Sequence, residues 1–175
     1  MHKGFLIMMG VMLISMIVAG AWNSVPVIKD SVHAVLNPSL GRLMDFNVSL
    51  GMIIVTAIIT LGITLVQKYT TDQETLKALK DEQKIMQQEM KKYKEHPSKL
   101  MEMQKKQLEA IPKTFELTLR PLIFTAVPII LFFRWFNDYF TTNSVKIFGF
   151  LSWFWAYLIL SIIFSAIFRK VFKVY

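Results

Sequence analysis

Five polar side chains in the first long apolar run of this chain are spaced for one face of a helix. Ser49, Thr56, Thr60 and Thr64 stand at intervals of seven, four and four, and Gln67 follows three residues later; a helix stacks such positions on one side. A second series, Tyr157, Ser161 and Ser165, repeats every four residues near the C-terminus. A hydroxyl becomes a nucleophile only beside a general base, and neither series has one. His2, His33 and His96 are scattered and form no metal-ligand spacing. With no Cys in the chain, disulfides, Cys-based metal sites and thiol catalysis are excluded. There is no Gly-rich phosphate loop, and Asp138 has no second intramembrane acid to make a protease dyad. The reading is a protein that is not an enzyme and needs no cofactor. What the hydroxyls can do is hydrogen-bond. Either they bond their own backbone and let helices approach closely, or they line a water-accessible groove.

Hydropathy defines the elements that must carry these rows. Apolar residues make up 54% of the chain, and uncharged apolar runs lie at Val48–Val66, Leu122–Phe133 and Ile147–Phe168. Runs of about 20 apolar residues read as bilayer-spanning helices. We expect spans over 47–67, 119–140 and 147–168. The intervening segment 68–118 holds eleven Lys and nine acidic residues, and the tail 169–175 adds Arg169, Lys170 and Lys173. The segments expected on the other side, Asn23–Asn47 and Thr141–Lys146, hold only Lys29, Arg42 and Lys146, with Asp30 and Asp45 against them. Short cytoplasmic loops carry the Lys/Arg excess. The chain therefore reads as a multi-pass cell-membrane protein with the charged segment and the C-terminus in the cytoplasm. Either its basic surface meets anionic lipid or nucleic acid, or these Lys residues only fix topology and solubilise the segment.

Residues 1–22 combine a basic start, an apolar stretch and Ala19-Gly20-Ala21. That pattern fits a cleaved secretory signal, or an extra membrane or interfacial helix. Residues 23–46 contain Pro26 and Pro38, and Val27, Ile28, Val32, Val35 and Leu36 recur at helical spacing. They read as an amphipathic helix lying along the outer face. Asn47-Val48-Ser49 is a formal glycosylation sequon at the membrane edge, and the motif is common by chance.

Within 68–118, Thr70, Thr71, Asp72 and Glu74 signal a helix start. Leu76, Leu79, Gln83, Met86, Met90 and Tyr93 then follow a 3-4 spacing; Met101, Gln104, Leu108, Ile111 and Phe115 do so after Pro97, with Ser98 as the expected cap. This predicts an antiparallel coiled-coil hairpin with a thin, partly polar seam. Met86, Met90, Met101 and Met103 suit either ordinary packing or varied apolar partners. The exposed Lys84, Lys91, Lys92, Lys94 and Lys99 are the candidate contacts for an anionic partner. In the second span Pro128 predicts a kink. Arg134 and Asp138 can meet at i, i+4. Arg134 is either an interfacial anchor among aromatics or the outer end of a hydrophilic groove, since an intramembrane charge must face protein or water.

The order of these parts (outer amphipathic segment, span, Lys-rich hairpin, then two spans joined by a short outer loop) resembles the core of the YidC/Oxa/Alb superfamily of membrane protein insertases. It is nearer to the small archaeal YidC-like proteins, which are similar to the Get-pathway receptor and the ER membrane complex insertase subunit. The resemblance covers roughly Val25–Tyr175. It implies an all-α membrane protein: a three-span core bundle, a cytoplasmic antiparallel coiled-coil hairpin and an extra N-terminal apolar helix. It implies a groove open to cytoplasm and lipid that accepts nascent transmembrane segments, with Ser49, Thr56, Thr60, Thr64, Gln67, Tyr157, Ser161 and Ser165 lining it. The implied partners are nascent membrane proteins, a ribosome or ribosomal RNA at the hairpin, and a second membrane subunit. Bacterial relatives place an Arg in their first core span; Val48–Val66 has none, so hydroxyls would supply most of the polarity. The alternatives are a membrane-anchored coiled-coil scaffold and a channel subunit.

Overall fold

The computed structural model describes residues 3–93, 97–143 and 145–175. Lys94 and the expected hairpin turn at 94–96 lie outside these residues. The described residues form an all-α membrane protein without strands. Among the described residues three helices are long and apolar enough to cross a membrane: α4 (Val48–Thr70), α7 (Leu122–Asn143) and α8 (Trp153–Phe172).

Residues ahead of α4 form two limbs. Helix α1 (Lys3–Ala21) is apolar nearly throughout and packs along α7. The chain then turns by 90° into α2 (Pro26–Leu36), a π-turn (Asn37–Gly41) and α3 (Arg42–Phe46). Pro26 opens α2, where a missing N–H costs nothing. Pro38 sits inside the π-turn. The expected amphipathic segment is thus a helix with one irregular turn. It lies at the end of the bundle away from the hairpin, against α7 and α4.

Helix α4 starts where the Asn47 side chain accepts the Leu50 N–H at 3.0 Å. The sequon asparagine is therefore a helix cap. Gly51 lets α3 and α4 touch: a Cβ there would meet Met44 Cα and the Leu43 carbonyl oxygen at 2.7 Å. Helix α4 continues three residues past the expected span, to Thr70. Asp72 then caps α5 (Gln73–Lys92), accepting from the Thr75 backbone and hydroxyl at 3.1 and 2.6 Å. Helix α6 begins at Pro97, so Ser98 lies inside the first turn and is not its cap.

Helices α5 and α6 (Pro97–Leu119) pack on each other as the hairpin, but the seam of α6 differs from the expected one. Met101 is 72% and Phe115 56% exposed, and Gln104, Leu108 and Ile111 also face out. Leu100, Met103, Gln107, Ala110, Thr114 and Leu117 are the half-buried positions. The Gln83 amide donates to the Thr114 hydroxyl at 3.2 Å. Both sets follow 3-4 spacing. The bulkier one points outward because the smaller side chains allow the two helices to approach.

The later boundaries shift for backbone reasons. Pro121 disfavours helix at Arg120, so α6 ends at Leu119 and α7 starts at Leu122. Phe148 (φ 53) and Gly149 (φ 83) take left-handed conformations, so residues 147–152 are a loop and α8 starts at Trp153. Trp153 and Trp155 therefore occupy the first turn of α8, at its end, where interfacial aromatics belong. The core joins Trp22, Met44, Met52, Val55, Ile59, Trp135, Phe136, Phe140 and Ile147. Between α7 and α8 it is aromatic: Phe136 and Phe140 lie 5.9 and 6.1 Å from Trp153, and Phe133 meets Tyr157 edge-on at 5.0 Å.

Candidate functional site

The polar row of α4 lies inside the bundle. Thr56 is 0% and Thr60 5% exposed, and Thr64 and Gln67 are buried with them. They share the buried side of α4 with Met52, Val55 and Ile59, and α4 packs chiefly against α8. The Thr64 hydroxyl donates to the Thr60 carbonyl at 2.7 Å, its own helix. The Thr56 and Thr60 hydroxyl oxygens are buried with no hydrogen-bond partner. A buried hydroxyl left unpaired costs about 1–3 kcal/mol; among the described residues only Ser15 of α1 shares this state with them.

Both ends of the row are tied to the last span and its loop. At the hairpin end, Arg169 donates to the Gln67 amide oxygen at 2.8 Å. At the other end, the Phe148 N–H donates to the Ser49 hydroxyl at 3.0 Å. In α8, Tyr157, Ser161 and Ser165 are half-buried. Ser161 donates to the Leu158 carbonyl at 2.9 Å, and Tyr157 packs against Phe133 and Phe136. The tail also reaches the base of the hairpin. Val174 is buried, the Tyr175 N–H donates to the Gln73 amide oxygen at 2.9 Å, and Lys77 sits 5.2 Å from the Tyr175 ring. The polar row, the basic end of α8 and the root of the hairpin therefore meet at one place.

Arg134 and Asp138 do not pair. Arg134 donates to the Ala19 carbonyl at 2.6 Å, one of the orphan carbonyls ending α1. Asp138 is taken by residues ahead of α4: its Oδ2 accepts from Trp22 Nε1 at 3.0 Å, and Lys29 and His33 lie at 3.0 and 3.1 Å. Both residues thus face α1 and α2. Two more contacts hold the same segment to α7: Trp135 Nε1 donates to Asn37 at 2.8 Å and the Tyr139 hydroxyl to Asp45 at 2.7 Å. Sequence reasoning missed these partners. The available signal was Lys29 and His33 one turn apart beside an otherwise apolar helix face.

On the hairpin, Lys84, Lys91, Lys92 and Lys99 are exposed; Met86, Met90 and Met103 are half-buried in the seam, and Met101 points outward. No group of three or more metal-ligating side chains occurs among the described residues. Residues 33–150 match the model of a family described as integral membrane protein EMC3/TMCO1-like. No curated protein and no solved structure matches the chain.

Proposed function

Since the chain belongs to the EMC3/TMCO1-like family of integral membrane proteins, within the Oxa1/YidC/Get1 superfamily linked to membrane protein insertion, we propose that it is an insertase whose α4 and α8 accept nascent transmembrane segments. The observation that carries this reading is the pair of buried, unpartnered hydroxyls of Thr56 and Thr60 in a row ending at Gln67 and Arg169. Each unsatisfied backbone group costs several kcal/mol in hydrocarbon. A polar row between two spans lowers that cost for the flank being translocated, with no chemistry and no nucleotide. The hydrophobic segment itself leaves sideways into lipid.

The hairpin grows from the same end as Gln67 and Arg169. We place it in the cytoplasm as a coiled coil that meets the ribosome or the substrate. Its Lys residues suit RNA phosphate, and the outward row of Met101, Leu108, Ile111 and Phe115 suits an apolar segment on its way to the membrane. Replacing Thr56, Thr60 and Thr64 with Leu tests the reading in reconstituted vesicles. Insertion of a protein with a short translocated flank should fall while the purified variant stays folded. Undiminished insertion would count against it.

A second reading is a membrane-anchored scaffold whose hairpin docks a partner. It is favoured by the hydroxyls of Thr64 and Ser161, which are spent on their own helices. It predicts no insertion above protein-free vesicles by wild type or triple variant, and loss of partner binding on hairpin substitution.

A further inference from the structure

The loop between α7 and α8 lies at the bundle end opposite the hairpin, and it is tightly built. Ile147 is buried and exchanges backbone hydrogen bonds with Leu151, at 2.8 and 2.9 Å. The left-handed Phe148 and Gly149 close the turn, and Ser49 holds the Phe148 N–H. Beside this loop opens a cavity of about 500 Å³, lined in part by Phe140, Lys146, Phe150, Ser152, Trp153 and Trp155.

Three properties of the cavity point to one kind of occupant. Among the described residues Lys146 is the only charged one lining it, and no salt bridge engages it. The rim is apolar and exposed: Phe150 is 72% and Trp155 56% accessible, with Val145 and Phe148 beside them. The cavity also lies where two spans end, the depth at which aromatic rings sit between headgroup and hydrocarbon. A soluble anion gains nothing from the aromatic rim, and a water-borne macromolecule would meet that rim as bare hydrophobic surface. An amphiphile with an anionic head matches both parts. The Ser152 hydroxyl makes no capping bond, and the first N–H groups of a helix lack intrahelical partners, so donors for phosphate oxygens stand beside Lys146.

We propose that this cavity binds the phosphate headgroup of an anionic phospholipid from the leaflet opposite the hairpin. Lys146 is the counter-charge, and the acyl chains lie against Phe150 and Trp155. The site is independent of the insertion reading and requires only that α7 and α8 span the bilayer. It would fix the depth of the loop that holds Ser49, and so the outer end of the polar row.

The test uses the full chain in phosphatidylcholine vesicles carrying a small fraction of phosphatidylglycerol with brominated chains, which quench nearby Trp fluorescence. Local enrichment of the anionic lipid of about fivefold is expected from one surface Lys, seen as quenching above random mixing. Brominated phosphatidylcholine should give no excess. The excess should disappear in Lys146→Gln and persist in Lys173→Gln at the hairpin end. Millimolar glycerol phosphate should not displace the lipid; displacement would make this a free-anion site and overturn the proposal. It is equally overturned if wild type shows no excess, if Lys146→Gln keeps the excess, or if Lys173→Gln loses it.

Discussion

At Thr56 and Thr60 a single buried atom is costly to the fold. Their hydroxyls are buried and unpartnered, so replacing either with Val removes an unpaired polar group without changing side-chain shape. Folding stability should rise or stay level, by up to about 1–3 kcal/mol, in detergent unfolding of the purified protein, while insertion activity falls. A stability loss would mean that these hydroxyls already have partners. Asp138 works the other way, since one carboxylate oxygen serves Trp22, Lys29 and His33 together. Asp138→Asn should cost about 1–3 kcal/mol and speed hydrogen exchange selectively in α2; unchanged exchange there would mean that the apolar face alone holds the helix. The spacing of Thr56, Thr60 and Thr64 was readable from the sequence because a period near four is a helix face wherever the helix packs. The partners of Arg134 and Asp138 were not readable. They come from residues more than 100 positions away, and the local i, i+4 alternative loses to three donors converging on one oxygen.

Among the elements, the three spans were visible as apolar runs, but their limits were set by backbone features that hydropathy does not weigh. Pro121 ends α6, and the left-handed Phe148 and Gly149 delay α8 to Trp153. The α6 seam was misassigned because two 3-4 series share that helix, and the larger side chains belong to the outward one. A seam of Met103, Gln107, Ala110, Thr114 and Leu117 buries little, so hydrogen exchange in the hairpin should be fast relative to α4 and α8; equal protection would contradict a weakly packed arm. The root of α5 is better held. Hydrogen bonds from the Thr75 hydroxyl, then its backbone N–H, lower the Asp72 pKa below the usual carboxylate value. A lowered folded pKa means the cap contributes above the unfolded value, near 3.9, and is lost as pH falls through the folded one. Fraying of the first turn is therefore expected only in acid. Gly51 marks the tightest contact between elements. In Gly51→Ala the new carbon meets backbone of α3, and the overpacking should cost about 1–3 kcal/mol, read as a lower Tm.

For the whole molecule, the arrangement gathers polarity at one end. The α4 row, Arg169, the C-terminal residues and the base of the hairpin meet there, while Arg134 and Asp138 fasten α1 and α2 at the opposite end. If the hairpin meets ribosomal RNA through its exposed Lys residues, ribosome binding should weaken linearly in log salt. Changing Lys91, Lys92 and Lys94 to Glu should then lower both affinity and slope; salt-independent binding would remove the nucleic-acid role. Whether α4 and α8 receive the substrate is directly testable because the chain lacks Cys. Single Thr60→Cys and Ser161→Cys variants would be offered a stalled nascent chain with one Cys in its transmembrane segment, and disulfide crosslinks scored. Crosslinks are expected from both positions, lost when that segment is made polar. Crosslinks from a Cys on the hairpin, with both span positions silent, would contradict substrate binding at α4 and α8.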